Sequence, residues 1–395
     1  MTESYKFITF GCWNDYNSYF PIASNVLNSV KQYCINNTDC KFIIITGDNY
    51  YSNKIKPKNN SKKQKILNVE KLKEGFDELP TNIPIYLLLG NHDLDNGITG
   101  IASQDISETS MSTNSNSYEC ITIQKEYELI NATDNIKKPN KLTMYNVENK
   151  TLFIMIDTTI YDIYNEIYAN NSEKTEESIK KEQKYIKCYS FLEKGLDNIE
   201  NIMNLQKMEV LKILDNFNKE EINNVVISGH HPLVETRVDK KDKSKYKTSH
   251  LINSYDLLHE IYNKFDNSVK YYYLCADYHC YQYGDIIINL KNSNETMNIK
   301  QYIVGTGGAE LDKTITIDHN YIDTYNSDIY NIDYKVNRTS PNHGFLVCSS
   351  DKDANLSFEF NKVSNALTVL SGGKNKSKKR KIYRNKTKTR KMNKK

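Results

Sequence analysis

Four short polar motifs stand at the ends of apolar, β-forming runs in this chain: Gly47-Asp48-Asn49-Tyr50-Tyr51, Gly90-Asn91-His92-Asp93, Gly229-His230-His231-Pro232 and Asp277-Tyr278-His279. The runs before them, residues 42–46, 85–89, 225–228 and 271–275, are too short for helices and too apolar for loops, so they read as buried strands. Residues 6–10, 152–156, 301–304, 344–348 and 356–360 read the same way, and helices are expected over 22–33 and 69–79. Lys, Glu and Leu at helical spacing predict one or two amphipathic helices within 175–217. Strands alternating with helices predict an α/β fold, in which ligands bind in the crevice beyond the carboxyl ends of the strands. Separate loops can therefore bring Asp48, Tyr51, Asn91, His230, Asp277 and His279 to one place.

Those residue types suit metal ions. Asp48 follows a strand and a glycine, and its two oxygens can bridge a pair of cations. Two ions roughly 3.5–4 Å apart hold a nucleophile and a phosphoryl oxygen together, which suits in-line displacement at phosphorus. Asn91 offers a neutral carbonyl oxygen, and His230 and His279 offer imidazole nitrogens, which suit zinc and iron. His92 is placed to protonate a leaving-group oxygen or to hold the phosphate. Singly, each motif is weak: a Gly-Asp pair is commonly a turn, and an isolated histidine is commonly structural. Their order carries the reading. His231 is a further substrate-side candidate with a structural role as its alternative, and His250 is read as structural.

A chain of 395 residues fits one large domain or two, and motifs running to residue 279 favour a single catalytic unit over residues 1–370. No run of about 18 apolar residues occurs, and residues 1–10 lack the basic and apolar regions of a secretory signal. A soluble, cytoplasmic protein that is not secreted and has no membrane span is expected. The eight cysteines are scattered without a Cys-x-x-Cys pair, which argues against a zinc finger and for reduced thiols, Cys34 and Cys40 included. The Ser/Thr/Asn stretch 103–117 reads as a mobile surface loop. Residues 53–65 read as a polar connector whose lysines form either a solvated face or a receiver for anionic substrate. The abundance of Asn, Lys, Ile and Tyr resembles the codon usage of an AT-rich genome and says little about function.

The ordered motifs resemble those of the calcineurin-like metallophosphoesterases and, within that superfamily, the purple or tartrate-resistant acid phosphatases. Gly47 to Tyr51 matches their Gly-Asp-x-x-Tyr; Leu89-Gly90-Asn91-His92-Asp93, Gly229-His230-His231-Pro232, Gln282-Tyr283 after His279, and Gly305-Thr306-Gly307-Gly308 fall in the family's order. The resemblance covers about residues 5–360. It implies a four-layer αββα sandwich of two mixed sheets flanked by helices, and a centre of two metal ions drawn from iron, zinc or manganese. One ion would be held by Asp48, Tyr51 and His279, and the other by Asp48, Asn91, His230 and Asp277. The implied reaction is hydrolysis of a phosphomonoester, on a phosphorylated small molecule or a phosphoprotein, by a metal-bound hydroxide with His92 assisting departure.

Two positions depart from the family pattern. Its Gly-Asp-Trp-Gly is Gly11-Cys12-Trp13-Asn14 here. Cys12 is either a thiolate ligand, favouring zinc over ferric iron, or a small buried residue beside a weak site, and Asp15 is a substitute ligand if the loop shifts. The family's Gly-His-Asp-His is Ala276-Asp277-Tyr278-His279, where Asp277 keeps the capacity to ligate. A family histidine near the leaving group aligns with Asp239. Two other readings stay open: a degenerate phosphatase fold kept as a binding or virion-associated protein, and a nuclease or nucleotide phosphoesterase.

Charge is divided sharply along the chain. Of the 53 basic residues, 13 lie between Lys374 and Lys395 with no acid among them, so the body carries 40 against 49 acidic residues. Ser371-Gly372-Gly373 reads as a hinge into a basic tail, 371–395, that cannot bury a core. The AT-rich composition and this terminus resemble proteins of large cytoplasmic DNA viruses. Such a tail should bind polyanions without sequence preference by releasing counterions, with a solubilising or sorting role as the alternative. A chain ending at Ser371 should lose salt-dependent nucleic-acid affinity while keeping its hydrolytic rate. Equal affinity for both lengths across a salt series overturns the polyanion role.

Overall fold

The central strands are buried along nearly their whole length, and the alternation of the faces on which their side chains pack sets the layers. In the strand Thr151–Ile156, Phe153 and Met155 pack among residues of a second sheet, whereas Leu152, Ile154 and Ile156 pack on the helical side. Val226 in Asn224–Ser228, and Tyr272 and Leu274 in Lys270–Cys275, face inward the same way. Successive strand side chains point to opposite faces, so a fully apolar run needs a cover on both sides. The covers here are a sheet and helices. Phe153 meets Phe7 and Phe42 edge-on, with ring centroids 5.0 and 5.1 Å away, which ties the two inner faces together.

This computed structural model describes residues 3–15, 20–55, 64–94, 98–102, 120–137, 142–168, 175–190, 195–239, 242, 245–291, 295–315 and 322–364. One sheet has six strands in the order Leu356–Lys362, Gly344–Ser350, Tyr5–Phe10, Cys40–Ile45, Ile85–Leu87 and Ile136–Lys137. The other has eight, in the order Ile322–Asn326, Tyr330–Ser340, Tyr281–Leu290, Thr296–Val304, Lys270–Cys275, Asn224–Ser228, Thr151–Ile156 and Thr143–Glu148. Both are mixed: the eight-stranded sheet has a parallel centre and antiparallel edges, while the six-stranded sheet is antiparallel at the Leu356–Lys362 edge and parallel through to Ile136–Lys137. Phe20–Asn36 and Val69–Asp77 lend Val26, Leu27, Val30, Leu72 and Phe76 to the six-stranded side. Thr159–Tyr168, Glu176–Tyr189, Ile199–Leu214 and Tyr255–Phe265 cover the other. The architecture is the αββα sandwich.

Several expectations need correction. The connector over 53–65 carries short strands at its ends, Asn53–Ile55 and Gln64–Asn68, which join Ile98–Ala102 in a small sheet. The partner strand lies beyond a helix, so local polarity concealed the pairing. The stretch 175–217 holds two helices, and Val234–Val238 with Tyr246–His250 forms an unforeseen hairpin. Residues 103–117, most of the lysine-rich segment and the basic tail lie outside the described residues.

The cysteine reading fails at one pair. Cys120 and Cys188 form a disulfide, their Cα atoms 5.2 Å apart across 68 residues of sequence. The helix beginning at Ile121 and the end of Glu176–Tyr189 meet in the core, a proximity that spacing does not encode. Cys12, Cys34, Cys40, Cys275, Cys280 and Cys348 are free thiols, all buried. Closing a loop of this length restricts the unfolded chain by about 4 kcal/mol. Urea unfolding of the Cys120→Ser/Cys188→Ser variant should show a loss of that order, and an unchanged midpoint overturns the stabilising role.

Candidate metal centre

The parallel strands end level with one another, and the site is built on the loops that leave them. Phe10 pairs with Ile45 and Ile45 with Leu87, while Ser228 pairs with Leu274 in the other sheet. Just beyond, the chain reverses through the left-handed region at Cys12 (φ 54°), Asp48 (φ 54°) and Asp277 (φ 52°). Aspartate tolerates that conformation better than cysteine does, and it costs on the order of 1–3 kcal/mol per residue where it is maintained. Backbone hydrogen bonds stitch the loops together: Cys12 N to Gly47 O at 3.0 Å, Ala276 N to His230 O at 2.9 Å and Ala309 N to Cys12 O at 3.0 Å. Gly90 passes so close that a Cβ there would lie 2.3 Å from Asp48 Oδ1.

Asp48, fully buried, divides its oxygens between two groups of donors. On the Oδ1 side lies His230, whose Nε2 is 3.2 Å from Asp48 Oδ1, 3.1 Å from Asn91 Oδ1 and 3.8 Å from Asp277 Oδ1. The other ring nitrogen, Nδ1, is 2.7 Å from Thr46 O and donates its proton there. Nε2 therefore turns toward three oxygen acceptors, an arrangement that requires positive charge, either a proton or a cation. Bonds of roughly 2.0–2.2 Å place neighbouring donors around one ion about 3.0–3.6 Å apart; the Asp48 and Asn91 oxygens fall in that range of Nε2, and Asp277 Oδ1 lies just beyond it. Burial opposes protonation of His230, but Asp48 outweighs it and, with Asp277, drives the imidazole up to about 10. The carboxylates thus call for a cation, which a bound metal supplies in the proton's place.

On the Oδ2 side, the Tyr51 hydroxyl donates to Asp48 at 2.9 Å and lies 3.0 Å from His279 Nε2. His279 Nδ1 is turned to Glu310 O at 2.8 Å, which points Nε2 inward. Cys12 Sγ is 3.9 Å from Asp48 Oδ2. Ligand atoms of Cys12, Asp48 and His279 all fall within 4.8 Å of one another, as do those of His230, His231 and Asp277. Burial, with Asp48 beside it, pushes the Cys12 thiol up, and burial followed by the same carboxylate does so for Tyr51. Either becomes an anionic ligand only when a cation offsets that cost. Burial likewise opposes ionisation of Asp48, yet His230 and His92 prevail and hold its carboxyl below the usual range.

The structure brings together every expected ligand: Asp48, Tyr51, Asn91, His230, Asp277, His279 and also Cys12. His92 donates its backbone N–H to Asp48 Oδ1 at 3.0 Å and lays its ring 4.6 Å from that of Tyr51, half-buried at the rim. His231 is buried; its amide donates to Thr158 Oγ1 at 2.8 Å and its Nε2 lies 3.7 Å from Asp162. Burial pushes the His231 imidazole down. Asp15 belongs to neither donor group; its amide donates to Trp13 O at 2.6 Å. Asp239 accepts the Asp242 amide within the hairpin connection, and His250 pairs with Asp323 at 3.1 Å.

Two residues at the site had no role in the sequence reading. Asp93, fully buried, accepts from Gly90 N, Asn49 N and Asn49 Nδ2 at 2.7, 2.8 and 3.0 Å, clamping the Asp48 loop to the Asn91 loop. Burial and the neighbouring Asp48 push its carboxyl up to about 7. Its place inside Gly-Asn-His-Asp was the available signal. Arg237 donates to Asp277 Oδ2 and, at 2.6 Å, to Glu235 Oε2. Only the folded hairpin brings it there.

The chain belongs to the calcineurin-like phosphoesterase family, whose pattern matches residues 9–281. The family is one of metal-dependent phosphoesterases, and the two donor groups around Asp48 fit metal binding. No curated protein matches the sequence. Among solved structures, GAP50, the anchor in the inner membrane complex of Plasmodium, is similar at 11% identity and a TM-score of 0.47, over 93% of this chain and 88% of its own. PhoD is similar at 11% identity and a TM-score of 0.47, over 94% and 73%. Among the described residues, no helix is long and apolar enough to cross a membrane.

Gly90→Ala tests the geometry directly. Its methyl group would press on Asp48 Oδ1 and backbone, so zinc or manganese affinity should fall by at least tenfold in a calorimetric titration. Unchanged affinity would place metal binding elsewhere.

Proposed function

We propose that this protein hydrolyses phosphomonoesters with two metal ions astride Asp48. The observation that carries the reading is His230 Nε2, itself fully buried and turned by Thr46 toward three oxygen acceptors. Asp48, Asn91, His230 and Asp277 would hold one ion, and Cys12, Asp48, Tyr51 and His279 the other. When bound, such ions supply Lewis-acid polarisation of the phosphoryl group and activation of water. The chain's own residues do the rest. Asp48 would be the ligand shared by both ions, the Asp93 clamp holds the Asn91 loop to the Asp48 loop, and His92 at the rim orients the leaving group and delivers a proton to its oxygen.

The two halves differ in donor character. Oxygen donors dominate around His230 and suit manganese or other hard ions, whereas a thiolate beside an imidazole suits zinc. A second reading, a weakly active or binding protein with one working metal, is favoured by one detail. The donors of the Cys12 half satisfy one another, the Tyr51 hydroxyl lying between Asp48 and His279.

Hydrolysis of an aryl phosphate should require divalent metal, and Asp48→Ala should reduce it by at least a thousandfold, since both ions lose a ligand. Activity that survives both chelation and Asp48→Ala would sink the metal-dependent reading. Elemental analysis separates the two-ion and one-ion versions: two equivalents per chain, with one lost in Cys12→Ala, support the first. One equivalent indifferent to Cys12→Ala supports the second. A bis(phosphodiester) cleaved faster than the monoester would redirect the assignment to nuclease or nucleotide chemistry.

A further inference from the structure

Asp277 stands where the resembling family pattern has a histidine, so the His230 half contains one more negative charge than a neutral imidazole would bring. The hairpin supplies an answer. From Val234–Val238, Arg237 reaches back over the Tyr278 ring, its guanidinium carbon 4.7 Å from the centroid, and donates one nitrogen to Asp277 Oδ2. That same nitrogen donates to Glu235 Oε2 at 2.6 Å, and Ser249 holds Glu235 Oε1 at 3.0 Å from the opposite strand of the hairpin. With Oδ2 fixed, Oδ1 is the oxygen left on the His230 side, at 3.8 Å from Nε2. The residue type is itself informative. Ahead of residue 371 the chain has only two arginines, Arg237 and Arg338, amid many lysines. A planar guanidinium can stack on an aromatic ring and hold two carboxylates at once, which an ammonium does less well.

Granting a metal centre at Asp48, we propose that Arg237 is a positioning residue that makes Asp277 a usable metal ligand. It offsets the added charge and fixes one carboxylate oxygen so that the other faces the ion. Asp277 and Arg237 together then stand in for a single neutral histidine. Groups that orient metal ligands commonly change metal affinity by about 10–100-fold when removed.

The test is calorimetric titration of the full-length protein with manganese or zinc, accompanied by thermal unfolding of the metal-free form. Arg237→Gln should weaken binding to the His230 half by at least tenfold, and Arg237→Lys, which keeps the charge, should recover part of it. The discriminating variant is Asp277→His combined with Arg237→Gln, where a neutral ligand no longer needs a guanidinium. Recovery of affinity in that double variant supports the inference, because loss of a merely structural arginine would not be repaired by a change of ligand. Wild-type protein that binds metal while Arg237→Gln binds it equally well overturns the inference and leaves the phosphoesterase reading intact. So does a double variant that folds but stays as weak as Arg237→Gln. Wild-type protein that binds neither metal overturns the phosphoesterase reading itself.

Discussion

The Asp48 carboxylate, buried between two sheets, is the constraint around which the site is arranged. One oxygen takes the His92 amide and faces His230; the other takes the Tyr51 hydroxyl and faces Cys12. An isolated carboxylate in such a place would be costly. The fold meets that cost by crowding groups that donate protons or can hold a cation around it, and by fixing their approach. Gly47 and Gly90 are needed because no side chain fits against Asp48 or His230, and left-handed backbone at Cys12, Asp48 and Asp277 turns three strand ends toward one point.

Rigidity comes from elsewhere. Phe153 wedged against Phe7 and Phe42 keeps the sheets in register, so loops from different sheets meet at the same level. Asp93 and Thr158 then tie loop to loop, Thr158 Oγ1 accepting the amides of both His230 and His231 at 2.9 and 2.8 Å. Polar groups in these positions are buried, and their mutual hydrogen bonds specify one arrangement. The donors are held by the packed core rather than by the loops that carry them.

The two departures from the resembling family pattern are handled differently. At position 277 the change of ligand is matched by Arg237, a charge partner contributed by a hairpin absent from the motif pattern. At position 12 no cation faces the thiol among the described contacts; Cys12 looks onto Asp48, and burial keeps it neutral. One half of the centre therefore carries its compensation in the protein, whereas the other depends on what binds there.

Much was legible before folding. Apolar runs of four to six residues can be buried only as strands in a layered fold, and a metal-ligating residue after each predicts a common crevice; both inferences rest on periodicity and chemistry that are local in sequence. The central strands, the α/β class and the convergence of Asp48, Tyr51, Asn91, His230, Asp277 and His279 were thus legible in the chain itself, whereas the four-layer αββα arrangement was implied only by the family resemblance. What the sequence could not determine are pairings between distant residues whose local patterns are unremarkable. The Cys120–Cys188 disulfide, the small sheet joining Gln64–Asn68 to Ile98–Ala102, the clamp made by Asp93 and the contact of Arg237 with Asp277 are of that kind. Each depends on the distance between segments far apart in the chain, and that distance exists only once the two sheets have packed.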